Sequence, residues 1–314
     1  MPFSKTHLAH SIEQTREEVQ YDANAKALIA DKQILARIVK HRTEEFKAYD
    51  IPTIISCIEG EPEISKTSIY PGKKDAITGM NTESNVPGEG EVTFDIRFYM
   101  LTKAKTRIKI ILNIELQNKY HQIYHYEPRA VFYTARMISE QLDRELTTRN
   151  YDGLKKVYSI WIFFNAPKKY SDTITEFYLE KKDIYGISVK SWKYDYISIS
   201  FIRLSYDKSK SSKDQLINML DTLFSDELSA NRKKQILEQE HHLQMTRELE
   251  GGIDTMCNVS LGIKEKAFDA GKALGISQGK IETLLELLRE GMISLAAVAE
   301  KLELTEDEVK KMMK

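Results

Sequence analysis

Leu28, Leu35, Ile38, Val39 and Phe46 recur at helical spacing behind Asp22, which predicts one amphipathic helix over 22–48 with Asp22 as its N-cap. The apolar run 51–58 predicts a short strand, and the stretch 62–90, punctuated by proline and glycine, an irregular excursion. Strict alternation follows. Val92, Phe94, Ile96, Phe98 and Met100 predict one strand, Ile108, Ile110, Leu112, Ile114 and Leu116 a second, and 102–106 the turn between them. A second amphipathic helix is predicted over 124–146 and a buried strand, rich in branched and aromatic residues, over 157–164. Further strands are predicted over 175–179 and 194–204, and beyond the polar stretch 208–213 nearly every segment has helical periodicity.

Helix, three strands, helix and strand, followed by a helical tail, describe an α/β layer with a mixed sheet. The expected division is 1–205 for that layer, 206–280 for a helical extension and connector, and 281–314 for a small helical module. In the connector Ala267, Gly271, Gly275 and Gly279 recur every four residues. Such a stripe lets helix backbones approach, although each glycine costs about 1 kcal/mol of helix stability. An imperfect connecting helix is the plainer reading. In the last module Leu295, Val298, Ala299, Leu302, Leu304, Val309 and Met312 resemble a helix-turn-helix core. Its final helix opens on Glu306, Asp307 and Glu308, which would repel a DNA backbone, so packing or homo-oligomer formation is expected there rather than DNA readout.

A content of 41% hydrophobic and 30% charged residues with 7 prolines excludes disordered and collagen-like classes. No run approaches the roughly 20 apolar residues of a membrane helix. The first 18 residues hold no apolar core of an export signal, and Cys57 and Cys257 lack disulfide or zinc-site spacing, so a cytoplasmic location is expected. The net charge of -1 gives no global attraction to nucleic acid, so a polyanion site requires local basic residues. Lys103, Lys105, Arg107, Lys109 and Lys119, against the single acid Glu115, make such a rim, or else the ordinary exposed face of a hairpin.

If that hairpin is centred on Lys105, Asp95 pairs with Glu115. Two carboxylates about 4 Å apart repel by about 4 kcal/mol at an effective dielectric of 20. A divalent cation such as Mg²⁺, which takes one or two carboxylates and keeps several waters, would offset this. Two solvated strand residues are the alternative, and a slip by two residues would separate the acids. His121 and His125 are four apart without the glutamate of a zinc helix, and read as residues near substrate phosphates or in solvent.

Asp95, then Glu115-Leu116-Gln117 closing an apolar strand, then an amphipathic helix, resembles the PD-(D/E)XK nuclease superfamily. The closer resemblance is to the recombination-promoting nuclease and PD-(D/E)XK transposase-like families, where E-x-Q replaces E-x-K. YDANAK at 21–26, CIEGEPEI at 57–64 and VPGEGEVTFDIR at 86–97 resemble the transposase-type branch, over residues 20–260. The resemblance implies a restriction-endonuclease-like core, a mixed central sheet flanked by helices, with a C-terminal all-α extension. It also implies a DNA endonuclease that uses Mg²⁺, or Mn²⁺, to activate a water. Asp95 and Glu115 would be the metal ligands, helped by the Leu116 carbonyl. Gln117 would orient the water but cannot add positive charge. Arg129 and Tyr133, on one helix face with Arg136 and Glu140, would lie near the phosphate; an Arg–Glu surface pair is the alternative. Glu59, Glu61 or Glu63 would supply a further acid, or form an exposed acidic turn around Pro62. From a different class, a noncatalytic DNA-binding or assembly protein could retain the same fold.

Overall fold

The computed structural model describes residues 19–64, 83–86, 90–93, 95–101, 107–115, 125–142, 146, 150–164, 166–191, 193–207 and 211–313. In place of one helix over 22–48 there are two, α1 over 19–29 and α2 (Lys32–Arg42), followed by a turn over 44–48. Asp31 makes the break: its carboxylate accepts from the Gln33 N–H at 2.8 Å and caps α2. The apolar run expected to be a strand is helix α3 (Ile51–Cys57). Asp50 accepts from the Thr53 N–H at 2.9 Å, and Pro52 sits in the first turn, where its missing donor has no helical partner to lose. A short apolar run alone does not distinguish strand from buried helix, and here the cap decides.

The strands are β1 (Ile58–Ile64), β2 (Glu83–Val86), β3 (Gly90–Thr93), β4 (Ile96–Leu101), β5 (Arg107–Glu115), β6 (Val157–Phe163), β7 (Thr173–Tyr178) and β8 (Ile197–Arg203). Six of them form one mixed sheet in the order β1-β4-β5-β6-β8-β7. The β5–β6 and β6–β8 pairs are parallel and the others antiparallel. The strand expected over 92–100 is divided: β3 pairs with β2 in a separate two-stranded sheet, and Asp95 occupies a bend just ahead of β4. Helix α4 (Tyr126–Ser139) lies between the parallel neighbours β5 and β6, which need such a crossover.

Both faces of the sheet are covered. Ile96, Phe98 and Met100 of β4, with Tyr158, Ile160 and Ile162 of β6, join one core with Ala25, Leu28 and Ile29 of α1 and the apolar side of α2. Helices α5 (Gln215–Phe224) and α6 (Ala230–Gln239) and the first part of α7 (Arg247–Arg289) add Leu216, Leu220, Leu237, Leu249 and Ile253 to it. On the opposite face Trp161, Phe163, Ile199 and Phe201 pack against Tyr126 and Ala130 of α4. Strand β6 is therefore buried along its whole length, as a strand between parallel neighbours is.

Contacts divide the chain at Val259/Ser260, so α5, α6 and the start of α7 belong with the sheet although composition changes near 206. The second unit contains the rest of α7, α8 (Leu295–Leu302) and α9 (Glu306–Met312), around Leu284, Leu285, Val298, Ala299 and Val309. The segment expected over 281–288 is the end of the 43-residue α7. A Cβ built at Gly271, Gly275 or Gly279 meets nothing within 4 Å, so among the described residues no helix approaches that stripe closely. Thr305 and Glu308 form a capping box on α9. No helix among the described residues is long and apolar enough to cross a membrane.

Candidate active site

Ile96 is opposite Leu112 and Leu101 opposite Arg107, which centres the β4–β5 hairpin on position 104 rather than 105. Continued by one residue, this register sets Asp95 opposite Asn113, and Glu115 two residues farther on. The direct Asp95–Glu115 pairing expected from the sequence is thus replaced by a diagonal one, of about 7–8 Å in an antiparallel pair. A slip by two leaves every side chain on its own face, so the hydrophobic pattern is the same in both registers. Because β4 and β5 run antiparallel, Asp95 at the head of one and Glu115 at the tail of the other remain at the same end of the sheet. Glu115 is also level with Phe163 of β6. The side chain of Glu115, and Leu116 and Gln117 altogether, lie outside the described residues.

Asp95 is half-buried, and its Oδ1 accepts from Lys26 Nζ at 2.8 Å. Lys26, nearly inaccessible on α1, also reaches Asp22 Oδ2 at 2.7 Å, one helical turn back. Burial pulls the Lys26 ammonium down, but Asp95 and Asp22 outweigh it and hold its pKa above the ordinary lysine value. Burial raises the Asp22 carboxyl; Lys26 counteracts this, Asp95 reinforces it, and the net shift is upward. Asp22, expected as a helix cap, thus serves an ion pair at the site. The signal in the sequence was a lysine four residues after an aspartate, beside the buried positions Ala25, Leu28 and Ile29.

On α4, Arg129 Nη2 donates to Tyr133 Oη at 3.2 Å, and the guanidinium lies 5.1 Å from the Tyr133 ring and 5.3 Å from that of Trp161. Trp161 is level with Asn113, hence two strands, about 10 Å, from the register position of Asp95. Glu140, at the C-terminal end of α4, is buried rather than on the surface. It pairs with Arg97 of β4, both side chains being at most 4% exposed, and so ties the helix to the strand. Arg136 is buried beside Phe132.

Around Pro62, where the sequence left open an exposed acidic turn or a further site acid, the chain forms a bulge in β1, between Glu59 opposite Tyr99 and Glu63 opposite Arg97, with Gly60 at φ 65°. Glu61 makes a surface pair with Lys32 at 2.6 Å, and by register Glu63 is the one of the three nearest Asp95. The side chain of Glu63 lies outside the described residues, as do those of Arg107 and Lys109 and the whole of Lys103, Lys105, Lys119 and His121. His125 is the exposed residue preceding α4.

Residues 69–256 match the sequence model of the PD-(D/E)XK nuclease family transposase. The chain belongs to that family. No curated protein and no solved structure matches it. The matched span includes Asp95, Glu115 and all of β4, β5, α4 and β6, while α1 with Asp22 and Lys26 precedes it.

Nucleases of the PD-(D/E)XK type use divalent metals, and the donors at this end of the sheet suit one. Carboxylate oxygens are hard ligands, and Asp95 and Asp22 both lie within one ion-pair bond of the same ammonium, a concentration of negative charge at the sheet end. No group of three or more His, Cys, Asp or Glu gathers among the described residues, but Mg²⁺ needs only one or two carboxylates with waters.

Proposed function

We propose that this protein is a Mg²⁺-dependent DNA endonuclease of the recombination-promoting or transposase-like type, built on a restriction-endonuclease-like core and acting in the cytoplasm. The observation that carries this reading is the position of Asp95 and Glu115 at one end of adjacent strands, inside the span matched to the family. Asp95 and Glu115 would hold the cation, Mg²⁺ or Mn²⁺. When bound, such an ion supplies positive charge at the scissile phosphate and makes water more acidic. The amide of Gln117 orients the attacking water through hydrogen bonds but adds no charge. Arg129, braced by Tyr133 and Trp161, offers a cation toward DNA phosphates, and Tyr133 fixes its direction.

Supercoiled plasmid, incubated with the protein in Mg²⁺ or in EDTA, tests this beside Glu115→Ala. The expected result is nicking that requires the metal and falls by at least about a hundredfold in the variant. Plasmid left intact across a range of Mg²⁺, Mn²⁺ and protein concentrations would favour the noncatalytic DNA-binding or assembly reading, to which the uncharged Gln117 lends some weight.

A further inference from the structure

We propose that Lys26 is the positive charge of this site, brought in from α1 to hold Asp95 and to stand beside the scissile phosphate where Gln117 offers only a neutral amide. The inference rests on the nuclease reading, and it concerns a residue outside the matched span. Three observations support it. Lys26 is 6% exposed, and an ammonium so placed costs several kcal/mol of solvation unless it is paired. Its partners are Asp95 at 2.8 Å and Asp22 at 2.7 Å, so the charge is held at the candidate metal ligand itself. Helix α1 is already anchored by Ala25, Leu28 and Ile29, each at most 3% exposed; a tether for the helix would therefore not need a buried cation, and an apolar side chain would serve at no desolvation cost.

An ammonium carries three N–H donors, of which the two carboxylates use two. Among the described residues the third is uncommitted, and it is available to a phosphate oxygen arriving at Asp95. Asp22 and Lys26 lie one turn apart on a rigid helix, so Asp22 fixes the direction of the ammonium, and the ammonium fixes the rotamer of Asp95. Lys26 acts on the metal ligand as a positioning residue, and its charge opposes the charge of a bound cation.

That opposition supplies the test. Full-length wild type, Lys26→Gln, Lys26→Arg and Asp22→Asn are compared by calorimetric Mn²⁺ titration, plasmid nicking and thermal melting. Removing a unit charge a few ångströms from the metal should tighten Mn²⁺ binding in Lys26→Gln by about three- to tenfold. Its nicking should fall by at least about tenfold, and Lys26→Arg should recover part of the loss. Asp22→Asn, which keeps the Lys26–Asp95 pair, should shift Mn²⁺ affinity in the opposite direction, and it decides the question if Lys26→Gln does not fold. A structural tether would lower metal binding and nicking together with the melting temperature, and that result overturns the proposal. So does Lys26→Gln with wild-type Mn²⁺ affinity. Wild type that binds Mn²⁺ but never nicks, with Lys26→Gln still binding more tightly, would refute the endonuclease reading while leaving Lys26 as the charge at the metal site. Wild type that neither nicks nor binds Mn²⁺ overturns both.

Discussion

Lys26 and His241 are both ionisable groups held partly away from water, and their surroundings treat them in opposite ways. Two carboxylates keep Lys26 charged. His241 is half-buried with its Nε2 unpartnered among the described residues. Burial lowers its pKa below the ordinary 6.5; Glu240 resists, while Arg37 and His242 add to the fall. The unfolded chain therefore binds this proton more readily than the folded one, so the stability is fully present above about pH 6.5 and is lost as the pH falls toward the lower folded value. Chemical denaturation at about pH 7.5 and about pH 5.5 should show a smaller acid loss in His241→Asn than in wild type; equal losses would remove the histidine from the account. The buried Arg97–Glu140 pair carries a second expectation. Glu140→Ala removes the carboxylate from a buried guanidinium and should cost about 3–5 kcal/mol, a fall of roughly 10 °C in melting temperature. The double variant Arg97→Met with Glu140→Leu should recover most of this, because it removes both charges from the interior.

Among the elements, local side chains decided several boundaries that hydrophobic periodicity left undetermined. The apolar residues after Asp50 would suit a strand or a helix, and the Asp50 carboxylate on the Thr53 N–H selects the helix. Asp50→Ala should accordingly lower stability by about 0.5–2 kcal/mol in a urea melt, and Asp50→Asn should stay close to wild type, since asparagine caps as well. Alternation runs through Val92, Phe94, Ile96 and Phe98 without interruption, yet β3 and β4 belong to different sheets and Asp95 stands at the break. Strand pairing made that division: β3 pairs back onto β2, and β4 pairs with β1 and β5. In β1, Gly60 at φ 65° lets the bulge form, and the bulge turns what reads as an acidic loop into part of the sheet edge.

At the scale of the whole molecule, the unit ending at Val259 contains the six-stranded sheet, both layers of helices and both candidate metal ligands. A chain cut after Val259 should therefore melt in one cooperative transition and keep metal-dependent nicking. A broad, noncooperative melt would mean that residues 260–314 are needed for the fold. The α/β class, the strands over β4, β5, β6 and β8, the helix after β5, and the placing of the candidate acids Asp95 and Glu115 at one end of a hairpin were legible in the sequence. Periods of 2 and 3.6 are local properties of the chain, and the acids stand within a motif of short span. The hairpin register was not legible, because a two-residue slip buries the same side chains. Nor were the Lys26–Asp95 and Arg97–Glu140 pairs. Each joins a helix to a strand far away in the sequence, and only the packing of α1 and α4 on the sheet brings such charges within 3 Å or so of one another, where burial makes the pairing obligatory.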